Sequence, residues 1–137
     1  KKEETFSAYD ESLKANPNNI MVMNNIAYYL SEEKRDLKKA EKMSAKTIEK
    51  EPKNSTFLDT YAWIFYQQEN YSLAKFYIER AIDNLEKGQD ASVMLDHLGD
   101  ILWKMGDKTK AMENWKKAFE TDKTNENLRL KIENKGM

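Results

Sequence analysis

Small residues recur along this chain at a nearly fixed interval. Ala27, Ala62 and Gly99 stand 35 and 37 residues apart. Each follows a larger apolar residue (Ile26, Tyr61, Leu98) and precedes another by three positions (Leu30, Phe65, Leu102). A second small set is Ala40, Ala74 and Ala111. Four residues beyond these lie Ser44, Ile78 and Trp115, and seven beyond lie Thr47, Ala81 and Ala118. Pro17 and Pro52 mark period ends, again 35 residues apart. Within each period the apolar spacing is helical. A small residue where two helices cross lets them approach closely, and large side chains one turn away fill the remaining space. One such pair cannot bury its apolar stripe alone, so successive pairs must stack.

The segments LDTYAWIFYQQENYSLAKFYIERA (58–81) and LDHLGDILWKMGDKTKAMENWKKA (95–118) resemble tetratricopeptide repeats throughout their length, including the Gly106-Asp107 turn. MNNIAYYLSEEKRDLKKAEKMSAKT (23–47) is similar, with one extra residue in its turn. Phe6–Pro17 looks like the closing half of an earlier repeat, with Tyr9 and Ser12 in packing slots. The resemblance implies an all-α fold, a right-handed α-α superhelical solenoid. It divides one domain, 1–137, into a trailing half repeat (1–17), repeats at 20–52, 55–86 and 92–123, and a capping helix (124–137). Helices are predicted over 3–15, then in pairs at 20–32 and 36–50, 55–68 and 71–85, 91–105 and 107–121, with a last one over 124–134. Thr124 is the predicted cap of that last helix. Leu128 and Ile132 would cover the preceding helix, leaving Arg129, Lys131, Glu133 and Lys135 mostly in water. Leu85–Asp90 holds three residues more than a 34-residue period, which predicts a longer helix or loop protruding from the stack.

Charge and cysteine content exclude several classes of function. With 23 basic and 24 acidic residues the net charge is −1, which gives no electrostatic reason to expect nucleic acid. There is no cysteine, hence no disulfide, thiolate metal site or cysteine nucleophile. No apolar run approaches membrane-spanning length, and no apolar signal core follows Lys1-Lys2-Glu3-Glu4. The location is expected to be cytoplasmic or the bacterial cell envelope, where similar repeats are common. The opening residues read as the middle of a helix, as in an excised fragment.

In this family the first helices of successive repeats line a concave groove. By that resemblance the exposed groove positions are Met21, Asn24, Asn25, Tyr28, Ser31 and Glu32 in the first pair. In the second they are Thr56, Asp59, Thr60, Trp63, Tyr66 and Gln67. In the third they are Val93, Asp96, His97, Asp100, Trp103 and Lys104. Asn24, Tyr28, Asp59, Trp63, Tyr66, Gln67, Asp96, His97, Asp100, Trp103 and Lys104 are the candidate partner-binding residues. Trp63, Tyr66 and Trp103 would supply aromatic contact area, and Asp59, Asp96 and Asp100 negative charge. Such a groove suits a protein or peptide with apolar and basic side chains, and repels a C-terminal carboxylate. An indole at helical spacing serves equally to fill space between adjacent first helices, as Trp115 on a second helix is expected to do.

No catalytic constellation is apparent. His97 lies beside Asp96 and Asp100, but no nucleophile accompanies them. Side chains at i and i+1 diverge on a helix, so Asp96 and His97 make a poor metal pair. No phosphate-cradling glycine loop is present. The expected function is thus a non-enzymatic interaction scaffold without cofactor or metal. The alternative is a substrate-positioning segment of a larger enzyme whose catalytic domain lies elsewhere. Exposed repeat ends leave self-association open.

Overall fold

The computed structural model describes residues 2–137; Lys1 of the opening segment lies outside the described residues. Eight α-helices follow one another among the described residues: α1 (Lys2–Ala15), α2 (Ile20–Glu33), α3 (Leu37–Lys50), α4 (Ser55–Gln67), α5 (Tyr71–Asp83), α6 (Ser92–Lys104), α7 (Lys108–Thr121) and α8 (Glu126–Glu133). Each packs on its sequence neighbours, and the first helices of the pairs also touch in the order α2, α4, α6. The arrangement is a solenoid of helix pairs with a half repeat in front and a single helix behind.

The repeating positions form the core. Ala27, Ala62, Ala40, Ala74 and Ala111 are fully buried, as are Ser44, Ile78 and Trp115 one turn into the second helices. Gly99 takes the crossing position of the third pair, with the indole of Trp115 against it. A Cβ at Gly99 would fall inside van der Waals distance of Trp115 Cδ1 and Nε1.

The ends of the helices repeat as faithfully as the core. Asn19, Asn54 and Asn125 are N-caps whose side chains accept the backbone N–H of Val22, Phe57 and Leu128. Asn125, rather than Thr124, therefore caps α8; the Thr124 hydroxyl donates to Asp122. Lys34, Glu69 and Gly106 all have left-handed backbone (φ 54°, 63° and 91°) at the same point of each turn. The following N–H groups reach back to Leu30, Phe65 and Leu102, satisfying carbonyls the helix leaves open. Lys135 and Gly136 close α8 in the same manner.

The insertion after α5 is a loop, not a longer helix, since α5 ends at Asp83. It is tied down rather than free to protrude. Ser55 Oγ donates to Gln89 Oε1 (3.3 Å), and Thr121 Oγ1 donates to Asp90 Oδ1 (3.4 Å).

Gly99→Ala should force Trp115 off its seat, at a cost of about 1–3 kcal/mol. A thermal melt should then show Tm lower by about 5 °C or more. Glu69→Gly should act in the opposite sense. It relieves a left-handed non-glycine residue that costs roughly 1 kcal/mol, so the same melt should rise.

Candidate functional site

Residues in equivalent register on α2, α4 and α6 do share one face, but most of them bind each other. On α2, the Tyr28 hydroxyl donates to Glu32 Oε1 (3.2 Å). Glu32 Oε2 in turn accepts the indole N–H of Trp63 on α4 (3.2 Å). The Trp63 ring stacks on Tyr66 (4.4 Å between centroids, 10°) and on His97 of α6 (3.9 Å, 19°). His97 Nδ1 lies 2.7 Å from Asp59 Oδ1, back on α4. A chain of contacts therefore runs across three successive first helices.

A second cluster closes the C-terminal end. Lys131 of α8 donates to Asp96 Oδ1 and Asp100 Oδ1, both at 2.8 Å. Asp100 Oδ1 also accepts the Trp115 indole N–H (3.0 Å). The Lys131 side chain is only 17% exposed, so the expectation that it faces water is corrected. Burial alone would lower the pKa of its ammonium, but Asp100 and Asp96 outweigh that and raise it above the ordinary value. Arg129 stays at the surface, paired with Glu126 and Glu133.

The expected groove is thus only partly open. Trp63 is 8% exposed and buried, as are Asn24, Ser31, Thr60, His97 and Asp100, which corrects their placement as exposed positions. The hydrogen-bonded and stacked partners just named take up the faces of Trp63, His97 and Asp100. Tyr66 and Gln67 are half-buried and Lys104 is exposed. Trp103 does not join Trp63 and Tyr66. It packs near Trp115 (5.6 Å), under Lys108 and against Gly136. The three aromatic rings expected in one groove belong to two separate places.

What remains open is a cavity of about 530 Å³ toward the N-terminal end, between α1, α2 and α4. Asn24, Tyr28 and Asp59 of the candidate set line it, with Asn25, Thr56, Thr60 and Val93. Glu32, an expected groove position, lines it too, as do Tyr9, Tyr29 and Glu33, which were not expected there. Tyr9 had been placed in a packing slot. Its half-buried ring packs against the cluster of Val22, Ile26 and Leu30 and also borders this cavity. Burial and the neighbouring Glu32 push the Tyr28 hydroxyl up to about 12, so it stays a neutral donor. The Asn24 carboxamide oxygen is buried at the cavity wall and accepts no hydrogen bond from the described residues. Among the described residues no three His, Asp or Glu side chains gather as a metal site, and no helix is long and apolar enough to cross a membrane.

Burial opposes a charged His97, but Asp59, helped by Asp96 and Asp100, raises its pKa above the ordinary 6.5. The protonated ring then favours the folded state. Its contribution is fully present below about 6.5 and is lost as pH rises through the folded-state value. Unfolding free energies of the parent chain and His97→Gln, measured from pH 6 upward, should converge as pH rises. A constant gap would show that His97 does not titrate as described.

A tetratricopeptide-repeat family model matches residues 94–125. No curated protein matches the chain by sequence. Solved structures do match. PilF of Pseudomonas aeruginosa superposes with a TM-score of 0.78 at 19% identity, over 98% of this chain and 60% of its own. YrrB, a tetratricopeptide-repeat protein with an unusual peptide-binding site, gives 0.73 at 21%, over 91% and 62%. MamA of Desulfovibrio magneticus RS-1 gives 0.71 at 18%, over 91% and 68%. The chain thus spans roughly two thirds of the length of these structures or less, and at such identities the likeness is one of fold. One repeat, residues 94–125, is thus matched to the tetratricopeptide-repeat family in sequence, and the whole helical stack has the fold of a tetratricopeptide-repeat solenoid.

Proposed function

We propose that this domain is a protein-interaction scaffold that holds a peptide segment in the N-terminal part of its concave face. The observation that carries this is the composition of the 530 Å³ cavity. Tyr9, Tyr28 and Tyr29 supply aromatic surface, Glu32, Glu33 and Asp59 supply carboxylates, and no lysine or arginine lines it. Tyrosine offers a large, rigid contact area at small entropic cost and is enriched among residues that dominate binding. Carboxylates at the same place select basic side chains and reject acidic ones. Asn24 adds an unfilled acceptor for a backbone or side-chain N–H. The fit is to an extended segment carrying apolar and Lys or Arg side chains. That YrrB, of like fold, has a peptide-binding site supports the assignment.

Tyr28 is the residue to test, because it is 37% exposed and, among the described residues, its only side-chain hydrogen bond is to Glu32 on its own helix. Trp63 is less suitable, since its truncation would empty a buried stack. In fluorescence anisotropy with acetylated Lys-Leu repeat peptides, Tyr28→Ala should weaken binding about tenfold or more, as for a central aromatic contact. Unchanged affinity in that variant, with its melting curve intact, would remove the groove from consideration.

A further inference from the structure

A second cavity, about 610 Å³, opens at the opposite end of the solenoid, bounded by the end of α6, one face of α7 and the end of α8. Its chemistry is the reverse of the groove's. Trp103, Met112 and Ile132 give it an apolar wall, while Lys108, Lys116 and Lys135 surround them against a single carboxylate, Glu113. The chain as a whole is at −1, so this local excess of cations does not follow from a basic composition.

The donors here are unspent. None of the three lysines forms an ion pair among the described residues. Lys108 Nζ lies over the Trp103 ring, 4.7 Å from its centroid, a contact that uses the ring face but leaves the ammonium protons free. Trp103 itself is half-buried, and among the described residues its indole N–H finds no acceptor, unlike those of Trp63 and Trp115. The ring is nevertheless held in place. The backbone of Gly136 lies so close that a Cβ there would sit 2.6 Å from Cη2 and Cζ2. A pre-set aromatic wall ringed by unpaired donors calls for a ligand that brings acceptors and one apolar group.

We propose that this cavity is a second docking site, for an acidic peptide. An aliphatic or aromatic side chain of the peptide packs on Trp103, Met112 and Ile132, and its carboxylates pair with Lys108, Lys116 and Lys135. Apolar contact supplies the anchor, and the exposed charges set selectivity and the rate of encounter. The site is independent of the tyrosine-lined groove, from which it differs in elements, charge and expected partner.

Calorimetric titration with an acetylated, amidated octapeptide of alternating Glu and Leu tests this directly. Binding should be measurable, should weaken as salt is added, and should fall about tenfold in the double variant Lys116→Glu, Lys135→Glu. The same peptide with Gln for Glu should bind far more weakly. Tyr28→Ala should leave the titration unchanged. Both lysines are exposed, so the double variant should fold; if its melt is lowered, Lys116→Gln with Lys135→Gln should show a smaller loss in the same direction. Absence of binding by the parent chain, equal binding of the Gln peptide, or affinity indifferent to these lysine changes would each overturn the proposal. A loss in Tyr28→Ala equal to that in the lysine variant would overturn it as well, by moving the acidic peptide to the other end.

Discussion

The close crossing of two helices at a residue with little or no side chain is the constraint on which this molecule rests. At Ala27, Ala62 and Gly99 the first helix of a pair comes near enough for the second to fill its grooves. The third pair takes this furthest. Only because position 99 lacks a Cβ can Trp115 lie across it, and from that seat its indole N–H reaches Asp100. Asp100 is thereby placed to receive Lys131, so the docking of the last helix follows from a missing methyl group two helices earlier.

The fold was legible because it is local and periodic. Apolar spacing, asparagine and aspartate caps and turn positions all repeat with one phase, and every helix lies within a few residues of where that phase places it. The Thr124 cap fails for an instructive reason. Asn19 and Asn54 follow Pro17 and Pro52 by two residues, and Asn125 stands in the same relation to Lys123. The phase contained the answer, and a general preference for threonine at helix starts obscured it.

The concave face was less legible because helical periodicity tells which residues share a face, not whether they are already engaged. Trp63, His97 and Asp59 lie on the expected side and turn toward one another. Asp96 and Asp100 likewise lie where the register puts them, but a lysine some thirty residues further on pairs with both. Such pairings depend on the separation and twist between repeats, which no single repeat encodes.

An array in which each unit touches only its neighbours unfolds piecewise, because nothing but adjacent interfaces carries cooperativity. The line from Tyr28 through Glu32 and Trp63 to His97 and Asp59 alters that pattern. It is a longitudinal seam stitched along one side of three periods, with side-chain links added to the ordinary interfaces. Opening the middle pair must break both ends of it at once. The three pairs are thereby bound toward a single melting unit.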